Sequence, residues 1–488
     1  MGANNEVIYS IIIDRFHPGK SEMKVASYQS DKWFNPTQRC GGTIRGVIQQ
    51  LTYIKELGCT SILLNPFFKN NPESYHGYAI EDFLNSDPDW GTMEDVMELV
   101  STAHQLKLKV YFDAVLNHTG NNWSYKHLNA RYSKGLSYTF NQWRYSDFPK
   151  PSSLRNINLY SRKGAIIHWD DDVETKDGDI FELKDLNTNL STAAGKEALS
   201  IMVDIYSYWI EKTKCDGYRV DAAKHIHADW LNQWTLEIKK CAIQNGVKDF
   251  FVFGEYIGTD LSWTKEYRLD GAFDFPLYFN WRSTEIKNQN IKLDYSKSFQ
   301  WIRFLDNHDQ VGLDPKGRLA SLWSEQDTQL LWALLFLSPG TPCIYYGTEQ
   351  LATGKGNHDG WIREPMFNQK QSTTYLNPST DSYKRIQKLI RQRKAFNPIL
   401  ESDWEQVEVD KQEKIWSFTW RSKDKYLIIC LNMSNQVFDL SIENRIFHIR
   451  DTKKSVYLYD GEEWREEKNN ALVPPHQFAW SWVTYEKY

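Results

Sequence analysis

Gly217-Tyr218-Arg219-Val220-Asp221-Ala222-Ala223-Lys224-His225 sets an apolar approach, Tyr218 and Val220, against alternating polar residues and closes on Arg, Asp, Lys and His. Alternation over so few residues reads as a short buried strand, and Arg219 and Asp221 then point the same way from its C-terminal end. An arginine beside a carboxylate favours the charged form. An ionised, oriented aspartate at a strand end is what a carboxylate nucleophile requires. A buried Arg–Asp pair that only organises a barrel would use the same residues, so the stretch must be read in its surroundings.

Before it, Leu199, Met202, Val203, Tyr206 and Ile210 keep a helical period; after it, Leu231, Trp234, Ile238 and Cys241 do the same and lead to the apolar run Phe250 to Gly254. The N-terminal half repeats the rhythm. Val7 to Ile13 is a β-rich run, Ile44, Val47, Ile48, Leu51, Ile54 and Leu57 form an apolar helix face ending at Gly58, and Thr60 to Asn65 is a second strand. Thr92 caps a further helix with Val96, Leu99, Val100 and Ala103 on one face, and Leu108 to Val115 is the third strand. Buried runs at Gly271 to Phe275, Phe299 to Leu305 and Pro342 to Tyr346 bring the strands to eight. Strands alternating with helices predict a parallel sheet with crossover helices, and eight units predict an α/β fold closed as a (β/α)8 TIM barrel.

Residues 119 to 185 break the rhythm with Asn, Ser, Tyr, Trp, Lys and Asp and no sustained helical period. An irregular segment that long is usually functional, and it is expected to be a subdomain inserted after strand three, roofing the barrel's C-terminal face. A last helix (Tyr383, Ile386, Leu389, Ile390) is expected to break at Asn397-Pro398. Beyond it Trp416 to Trp420 alternates, and Tyr426 to Leu431, Ser455 to Tyr459 and Trp480 to Thr484 read as strands. The expected organisation is a barrel over 1–118 and 186–400, the insertion over 119–185 and a C-terminal antiparallel β-sandwich domain over 401–488.

The 488 residues are 41% hydrophobic and 25% charged, ordinary for a folded globular chain. With a net charge of −5 and both signs interspersed, nothing suggests a polyanionic partner, and no nucleic acid is expected. No apolar run reaches 18 residues, so no membrane span is expected, and Met1 to Glu6 lacks the features of a secretory leader. Six scattered cysteines without CxxC spacing fit buried thiols in a reducing compartment, and a cytoplasmic location is the expectation. The aromatic share is high, 15% with 20 Trp. Flat aromatic faces with polar tips suit sugar rings, although an aromatic core would account for many of them.

In a barrel of this kind polar residues at the C-terminal strand ends face the active site. Four ends are densely polar: Asp113-Ala114-Val115-Leu116-Asn117-His118, the opening stretch, Gly254-Glu255, and Asp306-Asn307-His308-Asp309. In this order and on these strands they resemble the motifs of the α-amylase family of glycoside hydrolases. The resemblance extends to His76-Gly77-Tyr78, to Leu183-Lys184-Asp185-Leu186-Asn187 at the end of the insertion and to Tyr345-Tyr346-Gly347-Thr348-Glu349 on strand eight. It implies Asp221 as nucleophile, Glu255 as acid/base and Asp309 as the carboxylate that binds sugar hydroxyls 2 and 3. It implies that His118 and His308 bond the sugar on the non-reducing side of the cleaved bond, that Tyr78 stacks beneath it with His76 nearby, and that Lys224 and His225 lie on the leaving-group side. Asp113 is implied as the support of Arg219. Retaining chemistry needs a carboxylate and a carboxylic acid about 5 Å apart; Arg219 is expected to hold Asp221 ionised, and the apolar strand before Glu255 to raise its pKa.

The resemblance further implies Ca²⁺ between barrel and insertion, with Asn117, Asp185 and the His225 carbonyl as oxygen donors, and no organic cofactor. Zinc has no His/Cys cluster to hold it. The expected substrates are α-1,4-glucans or malto-oligosaccharides. Transglycosylation and sugar isomerisation share the glycosyl-enzyme intermediate and stay open, the Tyr-Gly-Thr-Glu-Gln run being similar to that of cyclodextrin-forming transferases. Non-catalytic, transporter-associated barrels of the family lose the catalytic carboxylates and carry a membrane helix, whereas Asp221, Glu255 and Asp309 are all present here.

Overall fold

Eight parallel strands close into a barrel in sequential order. They are β1 (Ile8–Ile11), β2 (Ser61–Leu64), β3 (Lys109–Ala114), β4 (Gly217–Val220), β5 (Phe251–Gly254), β6 (Gly271–Phe273), β7 (Gln300–Arg303) and β8 (Thr341–Tyr345). The computed structural model describes residues 6–484 apart from 21, 30–33, 136, 283–298, 314, 401–404, 413, 422–424, 440–454, 460–462 and 469–471. Each strand sits where an apolar run predicts it, trimmed by a residue or two at the ends, except that β8 begins one residue before the expected Pro342.

The helices follow from their apolar faces and caps. Helix α1 (Ile44–Leu57) starts where the Thr43 side chain accepts the Gly46 N–H and stops at Gly58, whose φ of 111° is open to a residue without a Cβ. In α2 (Met93–Gln105), Thr92 and Asp95 form a reciprocal capping box. Helices α3 (Ala193–Thr213), α4 (Ala228–Gln244), α5 (Phe275–Arg282) and α6 (Glu325–Leu337) continue the outer layer. All ten residues from Thr328 to Leu337 in α6 are buried, because the C-terminal sheet covers its outer side: Trp480 donates to the Leu337 carbonyl at 3.1 Å.

The last helix, α7 (Asp381–Leu400), does not break at Asn397-Pro398. A proline this near a helix end removes one of the last backbone bonds only, while Leu400 gains a buried position at 3% exposure. Past it, strands from Glu405–Gln412 to Gln477–Thr484 make a six-stranded sheet, beside a two-stranded one formed by Phe438–Asp439 and Leu472–Val473. The expected division after residue 400 adjoins residues 401–404, outside the described residues.

The segment between β3 and α3 is less irregular than its sequence suggests. Trp123–Tyr125 pairs with Phe140–Trp143, Asp172–Asp177 is a short helix, and His118–Thr119 pairs antiparallel with Lys184–Asp185. Two- to six-residue elements are too short for a hydrophobic period to mark. The last pairing brings the beginning and the end of the segment together at the mouth of β3.

Candidate active site

The register of the barrel builds the site. Arg219 on β4 lies opposite Asp113 on β3, and beyond the strand ends the ladder continues through Asp221 N–H to the Ala114 carbonyl and Glu255 N–H to the Val220 carbonyl, each 2.9 Å. Residues at the tips of β3, β4 and β5 are therefore fixed by backbone bonds. After Asp221 the chain turns sharply through Ala222, a non-glycine residue at φ 48° and ψ 41°. Such a conformation costs about 1 kcal/mol or more. It aims the Ala222 N–H at Glu255 Oε2, 3.4 Å away.

Arg219 is 1% exposed and serves three carboxylates. Its Nη1 donates to both oxygens of Asp113 at 2.6 and 2.5 Å and to Asp221 Oδ1 at 3.0 Å, and Nη2 pairs with Glu255 Oε1 at 2.7 Å. Two sequence expectations change here. The surroundings of Glu255 are an ion pair and a backbone N–H rather than an apolar strand end. Arg219 is shared, so it does not hold Asp221 ionised alone: burial pushes the Asp221 carboxyl well up, Arg219 pulls it down, and Asp113, Glu255 and Asp309 push it further up.

Asp309 has the opposite balance. Burial works to raise it, but His308, Arg363 and Arg219 together carry it well below the usual carboxylate range. Arg363 Nη2 meets Asp309 Oδ1 at 2.5 Å and His308 Nε2 meets Oδ2 at 3.1 Å. Donor atoms of Glu255, His308 and Asp309 lie within 4.8 Å of one another, so the carboxylates converge.

Tyr78 floors this arrangement. Its hydroxyl donates to Asp113 at 2.8 Å and meets His308 Nε2 at 3.1 Å, and its ring stacks on His308 and His76 at centroid distances of 5.7 Å and interplanar angles of 10° and 22°. His118 Nε2 meets the Tyr78 carbonyl at 3.2 Å, while its buried Nδ1 finds no partner among the described residues. Burial lowers His118 and His76 to about 3, so both rings are neutral near neutral pH. Lys224 and His225 turn toward the insertion instead, donating to the carbonyls of Trp169 (3.0 Å) and Thr175 (2.7 Å). His76, Tyr78, His118, Asp221, Lys224, His225, Glu255, Asp309 and Arg363 line one cleft of about 1550 Å³, with Asp113, Arg219 and His308 behind it.

The same cleft contains residues that the sequence did not single out. Arg363 and Asp359 reach it from the loop after β8, and Trp169 and Phe181, 39% and 74% exposed with ring centroids 5.4 Å apart, reach it from the insertion. Only their place on irregular loops marked them, and loops carry no period.

Asn117 and Asp185 are buried together at the junction of β3 and the insertion, the Asn117 Nδ2 donating to Asp185 Oδ1 at 3.1 Å. Asn117 Oδ1 and Asp185 Oδ2 find no partner among the described residues. Two buried, unpartnered oxygens of this kind fit a hard cation. Burial pushes the Asp185 carboxyl well up, which a bound cation would reverse.

A model of the α-amylase catalytic domain matches residues 10–395. An α-amylase of Streptomyces lividans is 31% identical over 456 residues, 75% of this chain and 48% of that protein, so the chain spans about half its length. A cyclomaltodextrin glucanotransferase of Klebsiella oxytoca is 25% identical over 500 residues, covering 91% of this chain and 73% of the other. In fold, the chain is similar to an α-amylase from Geobacillus thermoleovorans solved with acarbose, at a TM-score of 0.70 and 24% identity over 100% of both chains.

Proposed function

Because this chain belongs to the α-amylase family, we propose that it is a retaining glycosidase that cleaves α-1,4-glucosidic bonds of starch-like glucans or malto-oligosaccharides. The observation that carries the reading is the grip of one guanidinium on two carboxylates: Arg219 meets Asp221 through Nη1 and Glu255 through Nη2. Two carboxyl groups held side by side suit the short spacing of the retaining reaction, about 5 to 5.5 Å, rather than the wider gap of the inverting one.

Asp221 attacks the anomeric carbon as Glu255 gives its proton to the leaving oxygen; Glu255 then takes a proton from the incoming water, which displaces Asp221. Asp309, kept anionic by Arg363 and His308, is placed to accept hydrogen bonds from two sugar hydroxyls, contacts that gain most in the distorted transition state. His118 borders the same cleft beside Tyr78, whose ring offers the sugar an apolar floor. Ca²⁺ would be held by Asn117 and Asp185 and would fasten the insertion to the barrel, outside the chemical steps. Six free cysteines support a reducing compartment, and no helix among the described residues is long and apolar enough to cross a membrane.

Asp221→Ala and Glu255→Gln are each expected to abolish release of reducing sugar from maltoheptaose while oligosaccharide binding stays detectable by calorimetry. Wild-type turnover in either variant would overturn the assignment. The likeness to a glucanotransferase along 91% of the chain favours transfer as a second reading. Chromatography of the products from maltoheptaose, cyclodextrin, panose, maltose and sucrose separates the two, because transfer yields oligomers longer than the donor.

A further inference from the structure

Asp309 and Arg363 meet in the cleft but come from two loops, one after β7 and one after β8. The loops are bonded to each other. Gln310 N–H donates to Asp359 Oδ1 at 3.1 Å, Arg363 Nε donates to the His308 carbonyl at 2.8 Å, and Arg318 Nη1 donates to the Tyr346 carbonyl at 2.7 Å. A further buried arginine ties both loops to the outer layer of the barrel. Arg282 of α5 is 3% exposed. Its Nη1 donates to the Leu305 carbonyl at 2.6 Å and to Asp306 Oδ1 at 2.7 Å, and its Nη2 donates to the Gly317 carbonyl. Leu305 and Gly317 bracket the segment that carries His308 and Asp309. Asp306 extends the tie: its Oδ1 also accepts the Leu319 N–H at 2.8 Å, and its Oδ2 accepts the Thr348 hydroxyl at 3.1 Å, where the loop toward Arg363 begins. A buried ion pair gains little stability over apolar residues of similar volume. A planar guanidinium fork does fix directions, and this one fixes both loops against α5.

We propose that Arg282 is a positioning residue for the reaction: through Asp306 it sets where Asp309 stands relative to Asp221 and Glu255. It touches no reacting atom. The proposal rests on the glycosidase reading above, because Asp309 enters that reading as the carboxylate that accepts sugar hydroxyls in the distorted transition state. The tie works at the root of the loop. Asp306 lies three residues before Asp309 and borders, with His308, Tyr78, Asp113 and Arg219, a cavity of about 20 Å³ beneath the site. Because the two loops are joined, a rotation at that root carries Asp309 and Arg363 together. A displacement of about 1 Å in such a group costs up to about 100-fold in rate. A lysine at position 282 keeps the charge, but as a single point it cannot meet Asp306 and the Leu305 and Gly317 carbonyls at once.

The test places Arg282→Lys in the unsubstituted enzyme and in an Asp309→Asn background, with α-maltosyl fluoride as donor and fluoride release as the readout. In the unsubstituted enzyme kcat should fall by about 10- to 100-fold. In the Asp309→Asn background it should fall by less than about threefold, because the group being positioned is already impaired. A loss of folded enzyme lowers both backgrounds by the same factor. Equal factors therefore overturn the proposal and leave the glycosidase reading intact, as does a loss under about threefold in the unsubstituted enzyme. Should Arg282→Lys not fold, Thr348→Val and Thr348→Ser carry the same comparison. Valine should lower kcat by about three- to tenfold in the unsubstituted enzyme alone, and serine, which keeps the hydroxyl, should restore it; equal rates for the two overturn the proposal. No fluoride release above that of Asp221→Ala overturns the glycosidase reading and the proposal with it.

Discussion

Arg219→Lys tests the centre of the site most directly. The guanidinium reaches Asp113, Asp221 and Glu255 at 2.5 to 3.0 Å from two nitrogens, in a place 1% exposed. An ammonium is a single point on a flexible stem and cannot fork in this way. It leaves at least one of the three carboxylates buried without its cation. Breaking a buried pair in this manner costs about 3 to 5 kcal/mol, and a loss of about 4 kcal/mol in the transition state lowers kcat/KM by about 1000-fold. The variant should also change the pH profile. Arg219 is the group that pulls the Asp221 carboxyl down against burial; weakening that pull raises it further. Since the nucleophile must be ionised, the acid limb of kcat/KM should move to higher pH. Reducing-sugar release from maltoheptaose across a pH series, run well below the Tm of the variant, measures both effects. Retention of activity within about tenfold, with an unmoved acid limb, would refute the role given to Arg219.

Removal of divalent cations by a chelator should lower the Tm by a few degrees, the worth of a site filled to about 100 times its Kd, and Asn117→Ala should make the protein insensitive to the chelator; scanning calorimetry with and without added Ca²⁺ checks this. Burial lowers the His118 pKa from 6.5 to about 3 in the folded chain, so below about pH 6.5 the unfolded chain takes up a proton that the folded one refuses. Its contribution is therefore neutral above pH 6.5 and increasingly destabilising as pH falls toward 3, and urea midpoints should fall less steeply over that range in His118→Gln than in the parent.

The barrel was legible because it is written in period. The apolar faces of α1 and α2, the Thr92 cap and the short apolar runs of β2 to β5 follow from local rules, and the strand-end residues Asp113, Asp221, Glu255 and Asp309 follow once strands are placed. What stayed illegible depends on distance. Arg219 and Glu255 are 36 positions apart, and no local pattern shows that one guanidinium bridges to the other's carboxylate. Arg363 reaches Asp309 from a loop without repeat, and Trp169 and Phe181 are indistinguishable in sequence from the aromatic residues of the core. The Asn397-Pro398 break failed for a different reason: a local rule was outweighed by the burial of Leu400.

The pairing of His118–Thr119 with Lys184–Asp185, backed by the Asn117–Asp185 bond, has a consequence for how this protein can change. The excursion between them leaves and rejoins the barrel at one point, like a bag drawn shut at its neck. Lengthening such an excursion costs only about 0.6 kcal/mol for each doubling. Its interior is therefore free to be rewritten, exchanged or enlarged by descent or by design while β3 and α3 keep their places. New substrates can be met by altering the bag without touching the neck.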